Sequence, residues 1–139
     1  MKFISFNHDN SEKFGIIENN LITDLTGKID GASSLKELIK IKKIKEAKEY
    51  AKSNPGSIKP DQIKYSPLIP NPGKIICVGL NYSEHVKETN RTVEENPVIF
   101  HRFPESQTAH MQAIQRPTVS ESLDFEGEMA VVMLSLIHI

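Results

Sequence analysis

The sequence is poor in several residue types, and each shortage excludes a class of protein. It has no tryptophan and a single cysteine in 139 residues, so a framework of intrachain disulfides is excluded. The formal net charge is only -1, which provides no long-range attraction to nucleic acid or acidic membranes. No apolar run approaches the roughly 18 residues that a membrane-spanning helix requires. We therefore expect a cytoplasmic globular protein that binds neither nucleic acid nor membrane.

The distribution of proline divides the chain. Five of the eight prolines fall between Pro55 and Pro72, and the stretch from Ser66 to Gly73 has the composition of a linker. A hydrophobic share of 38% is that of a globular protein, and the length suits a small domain followed by part of another. We predict a small N-terminal domain over residues 1–66 and a second domain over residues 67–139.

The N-terminal residues predict an α+β unit with a β-meander and one helix. Lys2 to Phe6 reads as a strand, and two further apolar stretches flank Asn19-Asn20, a pair that tolerates the positive φ angles of a tight hairpin. Ser34 and Glu37 have the spacing of a capping box. An apolar stripe at helical spacing follows, and it predicts one helix that ends before Asn54-Pro55-Gly56: Leu35, Leu38, Ile39, Ala47, Tyr50 and Ala51.

This helix also carries many lysines. They are interspersed with Glu37, Glu46 and Glu49, which favours a solvated face, although docking of an acidic partner remains the alternative. The lysines concerned are Lys36, Lys40, Lys42, Lys43, Lys45, Lys48 and Lys52.

The second region alternates apolar runs with polar segments. We predict a buried strand over residues 75–78, a helix from about Asn81 to Thr89, and strands over residues 97–100 and 124–133. The single cysteine, Cys77, lies in the first of these strands and is expected to be a small buried apolar residue. Residues 101–117 are expected to form a long loop, and loops of that length are commonly functional.

Glu126 and Glu128 stand two residues apart at the start of the last predicted strand. Side chains at that spacing share one face of a strand, with Cα atoms about 7 Å apart, so the carboxylates can converge on one hard divalent cation. The same pair is also compatible with the solvent face of an ordinary edge strand. Spacing alone leaves both interpretations open.

Two further groups are candidates for chemistry. His85 and Glu88 are three residues apart on the predicted helix, where a carboxylate can orient an imidazole that accepts a proton from water. The alternative is a solvent-facing pair. The guanidinium of Arg102 suits a substrate carboxylate or enolate, or else an ion pair with a nearby glutamate.

In chain order these segments resemble one known family. The stretch from Lys74 to His85, Pro97-Val98-Ile99-Phe100 with Arg102-Phe103-Pro104, then Arg116-Pro117, and Asp124 to Val132 together resemble the fumarylacetoacetate hydrolase family. The resemblance covers about residues 72–133. The preceding strands and helix look like the small N-terminal domain that many members carry.

The resemblance implies the first part of a mixed β-sandwich roll, in a protein that is a homodimer at full length. Members cleave, hydrate, isomerise or decarboxylate small 2-oxo and β-diketo acids with Mg²⁺ or Mn²⁺, with Ca²⁺ as an alternative. By position, Glu126 and Glu128 match metal ligands, and His85 with Glu88 matches the catalytic pair. Arg102 and Phe103 match a segment that borders the substrate.

The chain departs from the family pattern at its end. Residues 134–139 stand where the family continues with a glycine and a later strand that carries a third acidic ligand, which is absent here. We therefore expect a truncated catalytic domain that is inactive or nearly so. The leading hypothesis is that the parent protein hydrolyses a C–C bond in an acylpyruvate-like oxo acid. Hydratase, isomerase or decarboxylase activity and a non-catalytic binding module are the alternatives.

Overall fold

A computed structural model of the chain describes residues 1–88 and 95–133. These residues form two compact units, one of Met1–Ile69 with the described part of Thr108–Ile139, and the other of Pro70–Gln107. The mixture of small sheets and separate helices confirms the predicted α+β class. The elements are β1 (Lys2–His8), β2 (Ser11–Glu18), β3 (Leu21–Asp24), α1 (Leu35–Lys40), α2 (Ile44–Ser53), β4 (Lys64–Tyr65), β5 (Ile75–Gly79), α3 (Ser83–Glu88) and β6 (Val98–Arg102), with short 3₁₀ turns at Pro60–Gln62 and Pro104–Ser106.

The first unit is built on an antiparallel sheet with strand order β3-β2-β1-β4. The hairpin between β2 and β3 turns at Asn19 and Asn20, whose φ angles are 51° and 61°, as the Asn-Asn pair predicts. A second hairpin joins β1 to β2 through Asp9 and Asn10 in the same left-handed conformation. The predicted meander is therefore present.

Apolar side chains of this sheet are buried on both faces. Phe14 and Ile16 of β2 pack with residues of both helices, including Leu38 and Ala47. Side chains of β1 that point the other way form a second cluster around Phe6, which is completely buried. Alternation of side chains along each strand explains how one sheet supplies both clusters.

The single helix predicted over residues 35–53 is wrong, because the chain reverses at Lys42 and forms α1 and α2 instead. Lys42 has a φ of 60°, its N–H donates to Ile39 O, and the next N–H, of Lys43, donates to Leu38 O. These two bonds are those of a Schellman motif, which usually has glycine at the left-handed position. The apolar spacing continued across the break because both helices bury their apolar side against the same cluster.

The predicted helix start and end are confirmed. Ser34 Oγ accepts the N–H of Glu37 at 3.3 Å, whereas the Glu37 carboxylate accepts from the N–H and hydroxyl of Ser33. Those bonds from Ser33 lower the pKa of the Glu37 carboxyl. At the other end, α2 stops at Ser53, before the Asn-Pro-Gly sequence.

In the second unit, β5 and β6 pair antiparallel with Ile75 opposite Arg102 and Gly79 opposite Val98. The strand at residues 75–78 is confirmed, but its predicted burial is wrong: Ile76 is 62% exposed and Val78 40%. The free Cys77 is half-buried. A two-stranded sheet has no second layer of its own to cover its faces.

Two further predictions in this region need correction. β6 extends to Arg102, so the loop that was expected to begin at His101 begins at Phe103. The predicted strand over residues 124–133 is not formed; this segment is exposed and has no regular secondary structure. A strand requires a neighbour to satisfy its backbone groups, and no described strand pairs with these residues. The predicted helix end at Thr89 and residues 134–139 lie outside the described residues.

Candidate functional site

The helix that carries the predicted catalytic pair follows β5 through a tight turn. Leu80 has a φ of 55°, and a Cβ on Gly79 would lie 3.3 Å from Cγ1 of Val98 on the opposite strand. The chain can therefore turn closely against β6 before α3 begins at Ser83. A left-handed leucine is uncommon and costs roughly 1–2 kcal/mol, which the surrounding structure must offset.

Helix α3 has the predicted spacing of His85 and Glu88. Both positions lie within Ser83–Glu88. Val86 is 4% exposed, and it lies on a different side of the helix from His85 and Glu88, so the packed side is not the one that carries the pair. Glu88 is exposed. The side chain of His85 lies outside what the structure describes, so the proposed contact between the two side chains stays a prediction.

Arg102 is the last residue of β6, and Phe103 follows it at the start of the loop. The guanidinium carbon of Arg102 lies 5.8 Å from the ring centroid of Phe100, two residues earlier on β6. The Phe103 ring makes an edge-to-face contact with His101 at 5.2 Å. The two predicted substrate residues therefore make separate contacts, Arg102 within β6 and Phe103 just beyond it.

Arg102 is exposed and makes no ion pair among the described residues. Its cation–π contact with Phe100 leaves the guanidinium donors available to an anion. Glu94, a nearby glutamate that could form the alternative ion pair, lies outside the described residues. Binding of a substrate by Arg102 stays a prediction.

Glu126 and Glu128 are exposed in the irregular segment of the first unit. Their oxygen donors are of the type that Mg²⁺, Mn²⁺ and Ca²⁺ prefer. However, the described residues contain no group of three or more His, Cys, Asp or Glu side chains able to hold a metal ion. Two carboxylates in an irregular segment do not fit a protein-built octahedral site, so we derive no reaction step through a metal.

In a comparison with known protein families, residues 74–135 match the model of the fumarylacetoacetate (FAA) hydrolase C-terminal domain. Over this range the chain is similar to the fumarylacetoacetate hydrolase family. All six predicted site residues, His85, Glu88, Arg102, Phe103, Glu126 and Glu128, fall within the matched range.

Curated proteins that are similar to this chain carry another name. A rat protein named oxaloacetate tautomerase Fahd2a, mitochondrial, is 42% identical over 72 residues, which cover 52% of this chain and 23% of the rat protein. A Xenopus laevis protein, oxaloacetate tautomerase fahd2, mitochondrial, is 36% identical over 90 residues, which cover 65% of this chain and 28% of that protein. The matched part of this chain thus spans about a quarter of each relative's length.

A solved structure supports the fold. A protein provisionally designated HpcE, from Mycobacterium smegmatis, superposes with a TM-score of 0.60 at 21% identity, covering 82% of this chain and 40% of that chain. At that identity the likeness concerns the fold alone. No helix among the described residues is long and apolar enough to cross a membrane.

Proposed function

We propose that this chain belongs to an enzyme that acts on a small 2-oxo acid, and that the reaction is keto–enol tautomerisation of a substrate such as oxaloacetate. The observation that carries the proposal is the family match over residues 74–135 together with relatives named oxaloacetate tautomerase. Tautomerisation is an isomerisation, which was an alternative in the sequence interpretation.

The predicted residues suit this chemistry. In a proposed step from enol to ketone, neutral His85 accepts the enol hydroxyl proton, and the resulting imidazolium returns a proton to the adjacent carbon. Glu88 would hold the imidazole in orientation and stabilise its charged form. Arg102, whose guanidinium is exposed beside Phe100, would bind a substrate carboxylate through two parallel hydrogen bonds.

Hydrolysis of a C–C bond is the second candidate. It is favoured by the family model itself, which is named for fumarylacetoacetate hydrolase. The same His85 would then accept a proton from water, and water would attack a substrate carbonyl. The two reactions share their residues and differ in whether a carbon–carbon bond breaks.

Three further properties are proposed from the family resemblance. Activity would depend on Mg²⁺ or Mn²⁺, for which a third donor would have to come from outside the described residues. The complete protein would be a homodimer. Its compartment is proposed to be the cytoplasm, with mitochondria as the alternative because the rat and Xenopus relatives carry "mitochondrial" in their names.

A product assay separates the two reactions. The longest form of the protein that its gene encodes is mixed with enol-oxaloacetate, and the loss of enol absorbance is followed with Mg²⁺, with Mn²⁺ and with a chelator. An acylpyruvate is tested in parallel for release of pyruvate. Faster loss of enol without pyruvate release supports tautomerisation, whereas pyruvate release supports hydrolysis. If the protein catalyses neither reaction, the proposed function is contradicted.

Two matched variants test the catalytic pair. Glu88 and Glu84 are both exposed on α3, but only Glu88 is three residues from His85. Glu88→Gln is expected to lower kcat about 10-fold by removing the negative charge beside the imidazole. Glu84→Gln serves as the control and should retain full activity. Equal effects of the two substitutions would exclude the proposed role of Glu88.

A further inference from the structure

The four-stranded sheet is covered differently on its two faces. Helices α1 and α2 pack over the face that carries Phe14 and Ile16. The opposite face, with Ile4 and Phe6, is covered by side chains from irregular segments and β4, including Ile58 and Tyr65. Beside the start of β1, side chains of both faces border open space.

A cleft of about 440 Å³ opens there, within the first unit. Its walls are largely apolar and include Phe3, Ile4, Ile17 and Leu68. Sites for small organic ligands are typically about 300–1,000 Å³ and are lined mainly by apolar side chains. Both the size and the lining therefore suit a small organic molecule.

Hydrogen bonds hold together the segments that form the cleft. Ser5 Oγ donates to Leu68 O at 2.8 Å, and the N–H of Ser66 donates to Ser5 O at 2.9 Å. These bonds join β1 to the segment after β4. The cleft is thus bounded by chain segments that are distant in sequence and bonded to each other.

The remaining wall is a turn from much later in the chain. Gln112 Nε2 donates to Tyr65 O at 3.0 Å, and the His110 ring meets the Tyr65 ring edge-on at 5.0 Å. Ala109 in this turn is only 7% exposed. Docking of this turn against Tyr65 places His110 at the cleft. No pattern in the sequence predicts this contact.

The polar side chains that line the cleft include no carboxylate. Lys2 and His110 supply positive or ionisable nitrogen, Ser66 and Thr108 supply hydroxyls, and none of the residues that line the cleft is acidic. The neighbouring carboxylate of Glu18 already pairs with the terminal ammonium of Met1 at 3.3 Å. A cleft that combines apolar walls with hydrogen-bond donors and a lysine ammonium is complementary to an anion with an apolar body.

We propose that this cleft is a binding site for a small monocarboxylate with an aromatic or branched apolar body. None of the predicted catalytic, substrate or metal residues lines it. The proposal is therefore independent of the proposed oxo-acid activity, and either can fail without the other.

Three probes that separate the carboxylate from the apolar body test the ligand class, with the 139-residue chain labelled for NMR. Phenylacetate has both the carboxylate and the apolar body, phenylacetamide lacks the charge, and acetate lacks the ring. Phenylacetate is expected to shift the amide signals of Ile4, Ser66 and Ala109 with a dissociation constant of about 1 mM, as ligand efficiency suggests for a ligand of its size. Phenylacetamide should bind about threefold to fivefold more weakly, and acetate should not saturate the site.

Variants locate the binding. Lys2→Met should weaken phenylacetate binding about threefold, whereas Lys64→Met, which removes an exposed lysine that does not line the cleft, should not change it. Ser66→Phe fills the cleft and should abolish binding in a chain whose amide spectrum shows that it remains folded. The proposal would be overturned if phenylacetate shifted signals elsewhere in the chain, or if the shifts persisted in Ser66→Phe. It would also be overturned if no shift were seen at about 20 mM phenylacetate, which is 20-fold the expected dissociation constant.

Discussion

Apolar residues are buried in the N-terminal strands and helices but largely exposed in the family-matched segment, residues 74–135. In the former, Phe6, Ile22 and Leu38 are completely buried. In the latter, Phe100 is 43% exposed and Val131 is 74% exposed, although both lie in runs that a sequence pattern reads as strand interior. The family-matched segment is therefore the less well packed part of the described chain.

This difference shows that recognisable residues and a formed site are separate properties. The N-terminal elements carry no recognised chemistry, yet their strands pair in one four-stranded sheet and their helices pack against it. The matched segment carries all six predicted site residues, but β5 and β6 form only a two-stranded sheet and residues 124–133 form no strand. Chemistry-bearing residues need packing around them before they can be held in a productive geometry.

The largest expected effect is the loss of a core aromatic in the N-terminal sheet. Phe6→Ala should lower the free energy of unfolding by about 3–5 kcal/mol, because the buried ring leaves a cavity. Denaturant titration followed by circular dichroism measures this. Phe125→Ala is the control in the matched segment, where the ring is 91% exposed and the cost should stay within about 0.5 kcal/mol. Equal costs would contradict the difference in packing between the two regions.

A smaller effect is expected from a close approach of two strands. A Cβ on Gly15 of β2 would lie only 2.2 Å from the carbonyl oxygen of Thr23 on β3. Gly15→Ala must therefore displace backbone and should cost about 1–3 kcal/mol in unfolding titrations. Gly73→Ala, which meets no atom within 4 Å, should change stability by less than about 0.5 kcal/mol. A neutral Gly15→Ala would show that the strands can separate without loss.

The smallest effect concerns a partly buried ion pair between β2 and β3. Burial pushes the pKa of Asp24 upward, but bonds from Lys13 at 2.8 Å and from the N–H of Thr26 at 2.8 Å outweigh it, so the pKa is lowered. A lowered folded-state pKa stabilises the fold above the ordinary value of 3.8 and ceases to do so as the pH falls through the folded-state pKa.

Asp24→Asn should accordingly cost about 1 kcal/mol at pH 7, and the difference from the unmodified chain should shrink as the pH falls below about 4. Unfolding titrations at several pH values measure it. Asp30→Asn removes an exposed carboxylate and should have no comparable effect. If the loss of unfolding free energy in Asp24→Asn did not change with pH, the effect would have to come from altered packing or hydrogen bonding and not from the lost charge.

Local signals predicted the local structure well. The Asn19-Asn20 turn, the Ser34 cap and the end of α2 before Pro55 each depend on a few adjacent residues and were found as expected. The break at Lys42 was missed because lysine occupies a position that glycine usually marks. The apolar period could not reveal the break, since both helices face one cluster.

Predictions that depend on distant neighbours were less successful. The apolar sequence of residues 129–133 predicts a strand, but strand formation requires a pairing partner that no sequence window contains. Docking of the 109–112 turn onto Tyr65 likewise left no pattern in the sequence. For the site, the residue types and their order identified the family, whereas their arrangement in space depends on packing that spacing cannot encode.

The central claim is that the matched segment carries the catalytic base of an oxo-acid enzyme, and a rate measurement on His85→Gln tests it most directly. Enol-oxaloacetate tautomerisation is measured for this variant and for the unmodified protein in the longest form that the gene encodes, with circular dichroism to verify folding. We predict a loss of about 10²–10⁴-fold in kcat. An unchanged kcat in a folded His85→Gln protein that still tautomerises the substrate would contradict the account.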